Sequence, residues 1–230
     1  MGLRVWRPDK GLLLSSLLVM VGLTREARIV RGGARVLIGG RHLEPALVER
    51  PAAFLSFGLC GALDPSLKIG DLVLGDSVTT ETGRYAADAA WIAELASAAP
   101  RARLAGVAAG PKMLTSPKDK AELRARTGAA AVDMESHLVA EAAVRLGVPF
   151  AVLRSVSDRA DHVISGPAQA GFSPDGNPDL AAVLGALLAR PLEFPALVRN
   201  AIHAATAFKA LDICARTLDW RAPLPEALAA

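Results

Sequence analysis

Six short apolar runs, at about 17–22, 53–57, 71–78, 103–108, 129–132 and 149–156, alternate with segments that carry apolar residues at helical spacing or are rich in glycine. Strands buried on both faces read as near-continuous apolar runs, and the helices between them as a 3.6-residue period, so the alternation predicts an α/β fold. Helical spacing is clearest at 86–99, 117–126, 134–146, 178–190 and 194–218, the last two divided at Arg190-Pro191-Leu192, where proline cannot continue a helix. From His162 to Pro178 no period is present. This stretch reads as a long loop after a strand, leading to Asn177 as a helix cap and Pro178 as the first helical residue.

Composition narrows the class. Hydrophobic residues make up 52% of the 230 and aromatics only 4%, so Ala, Leu, Val and Gly must build the core, as suits close-packed layers. The net charge is +3, but the basic residues are scattered and few aromatics are available to stack bases, which argues against nucleic acid as a partner. Cys60 and Cys214 lie far apart, outside any CxxC or Cys/His spacing, and His42, His162 and His203 are too dispersed to form a metal set. No metal site or disulfide framework is expected, and a reducing cytoplasm fits. Arg4, Arg7 and Lys10 before the run Leu12 to Leu23 have the look of a signal peptide. No small-residue cleavage site follows, and the run passes into Gly22-Leu23-Thr24-Arg25-Glu26, which reads better as a first strand ending in a polar loop.

Three stretches have the residues for chemistry. Ser56-Phe57-Gly58-Leu59-Cys60-Gly61-Ala62-Leu63 reads as a glycine-rich turn after an apolar strand, where backbone N–H groups can approach an anion or small ligand. Any tight turn uses glycine as well. In Ala131-Val132-Asp133-Met134-Glu135-Ser136-His137 a strand gives way to a helix, placing Glu135 in a first helical turn. There the dipole favours a carboxylate that can accept hydrogen bonds from a vicinal diol. His137, two positions on, faces away from Glu135 and is assigned no chemistry. Finally, Phe150-Ala151-Val152-Leu153-Arg154-Ser155-Val156-Ser157-Asp158 is a strand with an acid at its carboxyl end. Such an acid either caps the strand or, half-buried with a raised pKa, donates a proton.

The spacing of strand, Met134-Glu135, return strand and Ser157-Asp158 resembles the purine nucleoside phosphorylase and methylthioadenosine/adenosylhomocysteine nucleosidase superfamily, over residues 17 to 188. Several finer stretches, including Gly22-Leu23-Thr24-Arg25-Glu26-Ala27-Arg28-Ile29, Gly83-Arg84-Tyr85, Leu114-Thr115-Ser116-Pro117 and Leu188-Ala189-Arg190-Pro191, are similar to the hopanoid-associated phosphorylases, which act on adenosylhopane. The resemblance implies a three-layer α/β/α fold with a mixed central sheet, phosphorylase/hydrolase-like. It also implies a single domain over 1–230, with an extension at 1–15 and a helical addition at 194–218.

It further implies cleavage of the N-glycosidic bond of an adenine nucleoside with an apolar 5′ group. Asp158 would serve as the acid at purine N7, Glu135 and Met134 would hold the ribose, and Ser157, Met113 and Leu114 would line the base. The nucleophile is open: Glu26 matches a base that activates water, at one residue's offset, while Gly22 with Arg25 or Arg28 matches a phosphate site beside Gly58, Leu59, Cys60 and Gly61. No cofactor is implied beyond inorganic phosphate as co-substrate in the second case. The expected partners are a small nucleoside, lipid-linked in the hopanoid reading, and further copies of the chain. The rivals are a methylthioadenosine/adenosylhomocysteine nucleosidase and a non-catalytic nucleoside-binding protein. The stretch 194–218 sets Leu197, Ile202, Phe208 and Leu211 among Arg199, Lys209 and Arg216; it suits packing on the sheet and equally peripheral contact with the inner membrane face.

Overall fold

A computed structural model describes residues 17–40, 43–171, 173 and 176–221; the extension at 1–15 and His42 lie outside them. Strands β1 (Leu17–Val21), β2 (Arg35–Ile38), β3 (Ala53–Ala62), β4 (Leu72–Thr79), β5 (Arg84–Ala86), β6 (Arg103–Ala109), β7 (Ala131–Asp133) and β8 (Phe150–Asp158) form one mixed sheet. The helices are α1 (Thr24–Ala27), α2 (Leu43–Val48), α3 (Ala89–Ala98), α4 (Pro117–Thr127), α5 (Ser136–Leu146), α6 (Gly166–Ala170), α7 (Leu180–Ala189) and α8 (Phe194–Ala215), with a 3-10 turn at Pro191–Glu193.

Three layers follow from strict alternation in the strands. Along β1, Leu18 and Met20 join an apolar cluster with Ala46 and Leu47 of α2 and Val139 and Ala143 of α5. Leu17, Val19 and Val21 join the opposite cluster, with Trp91 and Leu95 of α3 and Phe208 and Leu211 of α8. Two facing apolar layers on a single strand are what a sheet covered on both sides requires.

The sheet is not simply open. β3 pairs in parallel with β1 and β8 and antiparallel with β7, while β8 also pairs antiparallel with β4. With β7 to β6 and β6 to β4, five strands close on themselves, and β8 is gripped on both edges.

The structure corrects several boundaries. The glycine-rich stretch is no turn, since β3 continues through Ala62. The polar loop after β1 contains α1, β2 and α2 occupy stretches with no helical or strand reading, and β5 takes Ala86 from the stretch read as helical, so that α3 starts at Ala89. The long loop holds α6, whose N-cap Ser165 accepts the Ala168 N–H. Asp179, not Asn177, caps α7 by accepting the Ala182 N–H at 2.9 Å, because its carboxylate is placed three residues before that donor. α8 ends at Ala215.

The carboxyl half of α8 packs on the sheet, but α7 buries no residue at all. Leu180, Leu184, Leu188, Leu192, Phe194, Val198 and Ile202 are exposed, Leu192 by 94%. The chain turns by 115° between α7 and the segment Pro191–Ala215, and no single helix among the described residues is long and apolar enough to cross a membrane.

Leu211, fully buried under the sheet, tests the α8 packing. Leu211→Ala is expected to cost about 2–5 kcal/mol, read as a lower urea midpoint at unchanged slope.

Candidate active site

Three carboxylates from distant stretches meet around the second half of β3. A Cβ on Gly58 would lie 2.5 Å from Glu26 Oε1, one on Gly61 3.0 Å from Asp158 Oδ1, and one on Gly22 2.6 Å from Glu135 Oε1. These glycines are therefore spaces for carboxyl groups, and Gly58 also has φ +152°, inside the region that disfavours side chains. A bulge between Cys60 and Gly61 shifts the β3–β8 register, setting Gly61 opposite Asp158.

Glu26 is held by backbone alone. Its Oε2 accepts the N–H groups of Gly22 and Leu23, both at 2.8 Å, and its Oε1 that of Leu59 at 2.7 Å. Burial raises the Glu26 pKa, against the lowering influence of Arg154 and the three N–H donors.

Arg154 is the centre of the charge arrangement. It is fully buried in β8, with Nη1 3.2 Å from Glu135 Oε2, Nη2 2.5 Å from Ser56 Oγ, and Nε 2.8 Å from Asp133 Oδ2, off the N–H axis. Asp133 in turn accepts the Glu135 and Ser136 N–H groups at 3.1 and 2.8 Å and pairs with the Ser136 hydroxyl. Here the expectation for Glu135 is corrected. It stands at the N-cap, before the first turn, and makes no cap bond with its side chain, so its charge partner is the guanidinium rather than the helix terminus. Burial pushes its pKa up to about 7, with Arg154 pulling the other way.

Asp158 pairs with Lys120 Nζ, and its Oδ2 lies 3.2 Å from the Ser157 hydroxyl, which also reaches the Cys60 carbonyl at 3.2 Å. Burial raises the Asp158 pKa, with Lys120 as the chief opposing influence. The Cys60 thiol is buried and its pKa pushed well up, so this residue contributes backbone, not a nucleophile.

The remaining expected residues divide. Leu114 packs beside Leu63, Ala108 and Ala129, and Met113 and Met134 are half-buried. The Arg25 guanidinium lies over the Phe208 ring, 4.2 Å from its centroid, and Arg28 is exposed. Neither is hydrogen-bonded to Glu26, whose oxygens accept backbone N–H groups. Arg154, Asp133, Ser56, Ser136 and Lys120 were not anticipated. An arginine inside the apolar run of β8 was the available signal for the first, since a buried guanidinium must find partners. Among the described residues no cluster of three or more His, Cys, Asp or Glu is placed to hold a metal.

The family model of the phosphorylase superfamily matches residues 39–190, and the chain belongs to that superfamily. A 5′-methylthioadenosine/S-adenosylhomocysteine nucleosidase of Geobacillus thermodenitrificans is 31% identical over 134 aligned residues, covering 48% of this chain and 57% of that protein. One from Marinomonas is 30% identical over 133, covering 48% and 58%. The match thus spans little more than half the length of these curated relatives. Among solved structures, the corresponding nucleosidase of Helicobacter pylori superposes with TM-score 0.60 at 19% identity, covering 89% of this chain and 99% of that one. Futalosine hydrolase of the same organism gives 0.57 at 17%, covering 88% and 98%.

Two outcomes follow from the charge arrangement. Arg154→Met would strand Asp133 and Glu135 in the interior and is expected to cost about 3–5 kcal/mol in chemical denaturation. Glu135 keeps its proton in the folded protein up to about pH 7 but loses it near 4.5 when unfolded. Its contribution to stability is therefore complete below about pH 4.5 and is lost as pH rises through about 7. His162 and His203, whose pKa values are lowered by burial, act in the opposite sense, so the comparison is with Glu135→Gln. Thermal melts between about pH 5 and 8 should show the wild type losing stability relative to this variant as pH rises.

Proposed function

We propose that this protein cleaves the N-glycosidic bond of an adenine nucleoside bearing an apolar 5′ substituent, with water as the nucleophile. The observation that carries the reading is the gathering of the buried Glu26 and the half-buried Glu135 around the Arg154 guanidinium, with a third carboxylate, Asp158, four residues further along the same strand. Breaking the C1′–N9 bond builds positive charge on the sugar and negative charge on the base. Glu26 takes a proton from water as it attacks C1′, Glu135 accepts hydrogen bonds from the ribose hydroxyls, and Asp158 gives its proton to purine N7. Met134 packs on the sugar, and Met113, Leu114 and Ser157 border the base. Water is favoured over phosphate because the Gly22 and Leu59 N–H groups of the expected phosphate pocket donate to the Glu26 carboxylate.

Within this reading the substrate is adenosylhopane, released as adenine and a ribosylhopane in hopanoid biosynthesis. The exposed apolar elbow of α7 and the start of α8 supports this finer assignment, since a triterpenoid must be met at a membrane surface. Gly176, before the start of α7, accepts the Thr24 N–H at 2.9 Å, which joins the chain entering α7 to the Glu26 turn. A homo-oligomer working at the inner membrane face completes the proposal. The second reading, a methylthioadenosine/adenosylhomocysteine nucleosidase, is favoured by the names of the curated relatives.

Adenine release from adenosylhopane, methylthioadenosine and adenosine, each with and without phosphate, tests both. Phosphate-independent release from adenosylhopane is the expected result, and release from methylthioadenosine alone transfers the protein to the second reading. Asp158→Asn and Glu26→Gln should each lower the rate by about a hundred- to a thousand-fold. No adenine from any substrate would sink the proposal.

A further inference from the structure

Lys120 is fully buried in α4, a helix that buries no other residue. An ammonium removed from water survives only where it is paired and bonded. Its Nζ meets Asp158 Oδ1, donates to the Arg159 carbonyl at 2.7 Å and reaches the His162 carbonyl at 3.4 Å. Three acceptors thus surround one cation, and all belong to the end of β8 and the turn that follows. α4 starts immediately after Met113-Leu114-Thr115, and the Thr115 carbonyl accepts the Ile164 N–H at 3.1 Å. Lys120 therefore ties the stretch expected beside the base to the strand carrying the acid.

We propose that Lys120 is the positioning residue for Asp158, fixing Oδ1, leaving Oδ2 toward the base, and stabilising the carboxylate that remains once the proton has gone to N7. The proposal rests on the reading of Asp158 as the acid. When Asp158 gives up its proton the carboxyl becomes an anion facing the ammonium. The attraction is therefore stronger after transfer than before, and such an interaction raises kcat rather than lowering KM. The other groups around the carboxyl are Ser157 on β8 and His162 on the following turn, the latter stacked on His203 of α8 with ring centroids 5.3 Å apart. Both histidine pKa values are lowered by burial, which leaves Lys120 as the cation in direct contact.

The test is a double-mutant cycle of Lys120→Met and Asp158→Asn in the full chain, with adenosylhopane and methylthioadenosine each as substrate, joined to a carbon-13 NMR titration of the Asp158 carboxyl without substrate. Lys120→Met is expected to lower kcat about ten- to a hundred-fold with KM changed less than about threefold. In the Asp158→Asn background it should cost less than about twofold, because it acts through the missing carboxylate. The Asp158 titration should move to higher pH once the cation is gone. Lys120→Gln, which retains donors for the two carbonyls, replaces the Met variant if that one does not fold. An equal loss in both backgrounds, or an unmoved titration, overturns the proposal. If the wild type releases no adenine yet the titration moves, the catalytic reading fails while the Lys120–Asp158 coupling stands.

Discussion

The buried guanidinium of Arg154 is the interaction on which the rest of the site depends. Taking one carboxylate out of water costs several kcal/mol even after relaxation, and this protein removes Glu26, Asp133 and Glu135 from water within reach of a single cation. Ser56 and Ser136 bond the remaining edge of the guanidinium, and the Leu59 carbonyl lies 3.3 Å from Nη1. The guanidinium offsets two of the charges by contact, while Glu26 is satisfied by backbone N–H groups. What results is that Glu26, Glu135 and Asp158 are held in fixed places with raised proton affinity, the condition for dividing proton acceptance and donation between neighbours.

That arrangement is possible because β3 gives up side chains where carboxyl groups arrive. Gly58 and Gly61 leave room for Glu26 and Asp158, and Gly22 at the end of β1 leaves room for Glu135. Rigidity comes from the strand pairing around them. β3 is bonded to three other strands along its length, so the carboxyl groups face a backbone that cannot readily withdraw. The apolar layers from α2 and α5 on one side and α3 and α8 on the other cover both faces of this sheet.

Much of this was legible in the residues. The long apolar runs mark the buried strands, and Glu26, Glu135 and Asp158 stand out by position and by family resemblance. What was not legible is instructive. β2, α2, β5 and α6 have three to six residues each, too few to establish a period against their neighbours. Gly58 and Gly61 read as a turn because glycine in a strand interior is unusual unless something must come close. Arg154 was visible as a charge within an apolar run, yet its partners are contributed by β3, β7 and α5, distant in sequence. Lys120 gave no signal at all, since it lies in Pro117-Lys118-Asp119-Lys120-Ala121-Glu122, where every pattern indicates a solvated helix face. Only the tertiary fold distinguishes it from Lys118.

β8 is held between a parallel and an antiparallel neighbour and presents Arg154 and Asp158 an even number of residues apart. In a pleated strand, losing or gaining one residue turns every side chain beyond that point to the opposite face. Length changes are therefore unequal in their effect along this chain. One residue added in the stretch after Asp158 alters the length of a connection. One added between Phe150 and Arg154, before the bulge, would turn the guanidinium to the wrong side of the sheet while leaving composition, hydrophobicity and family resemblance nearly untouched, so variation in this family should accumulate as substitutions within β8 and as indels outside it.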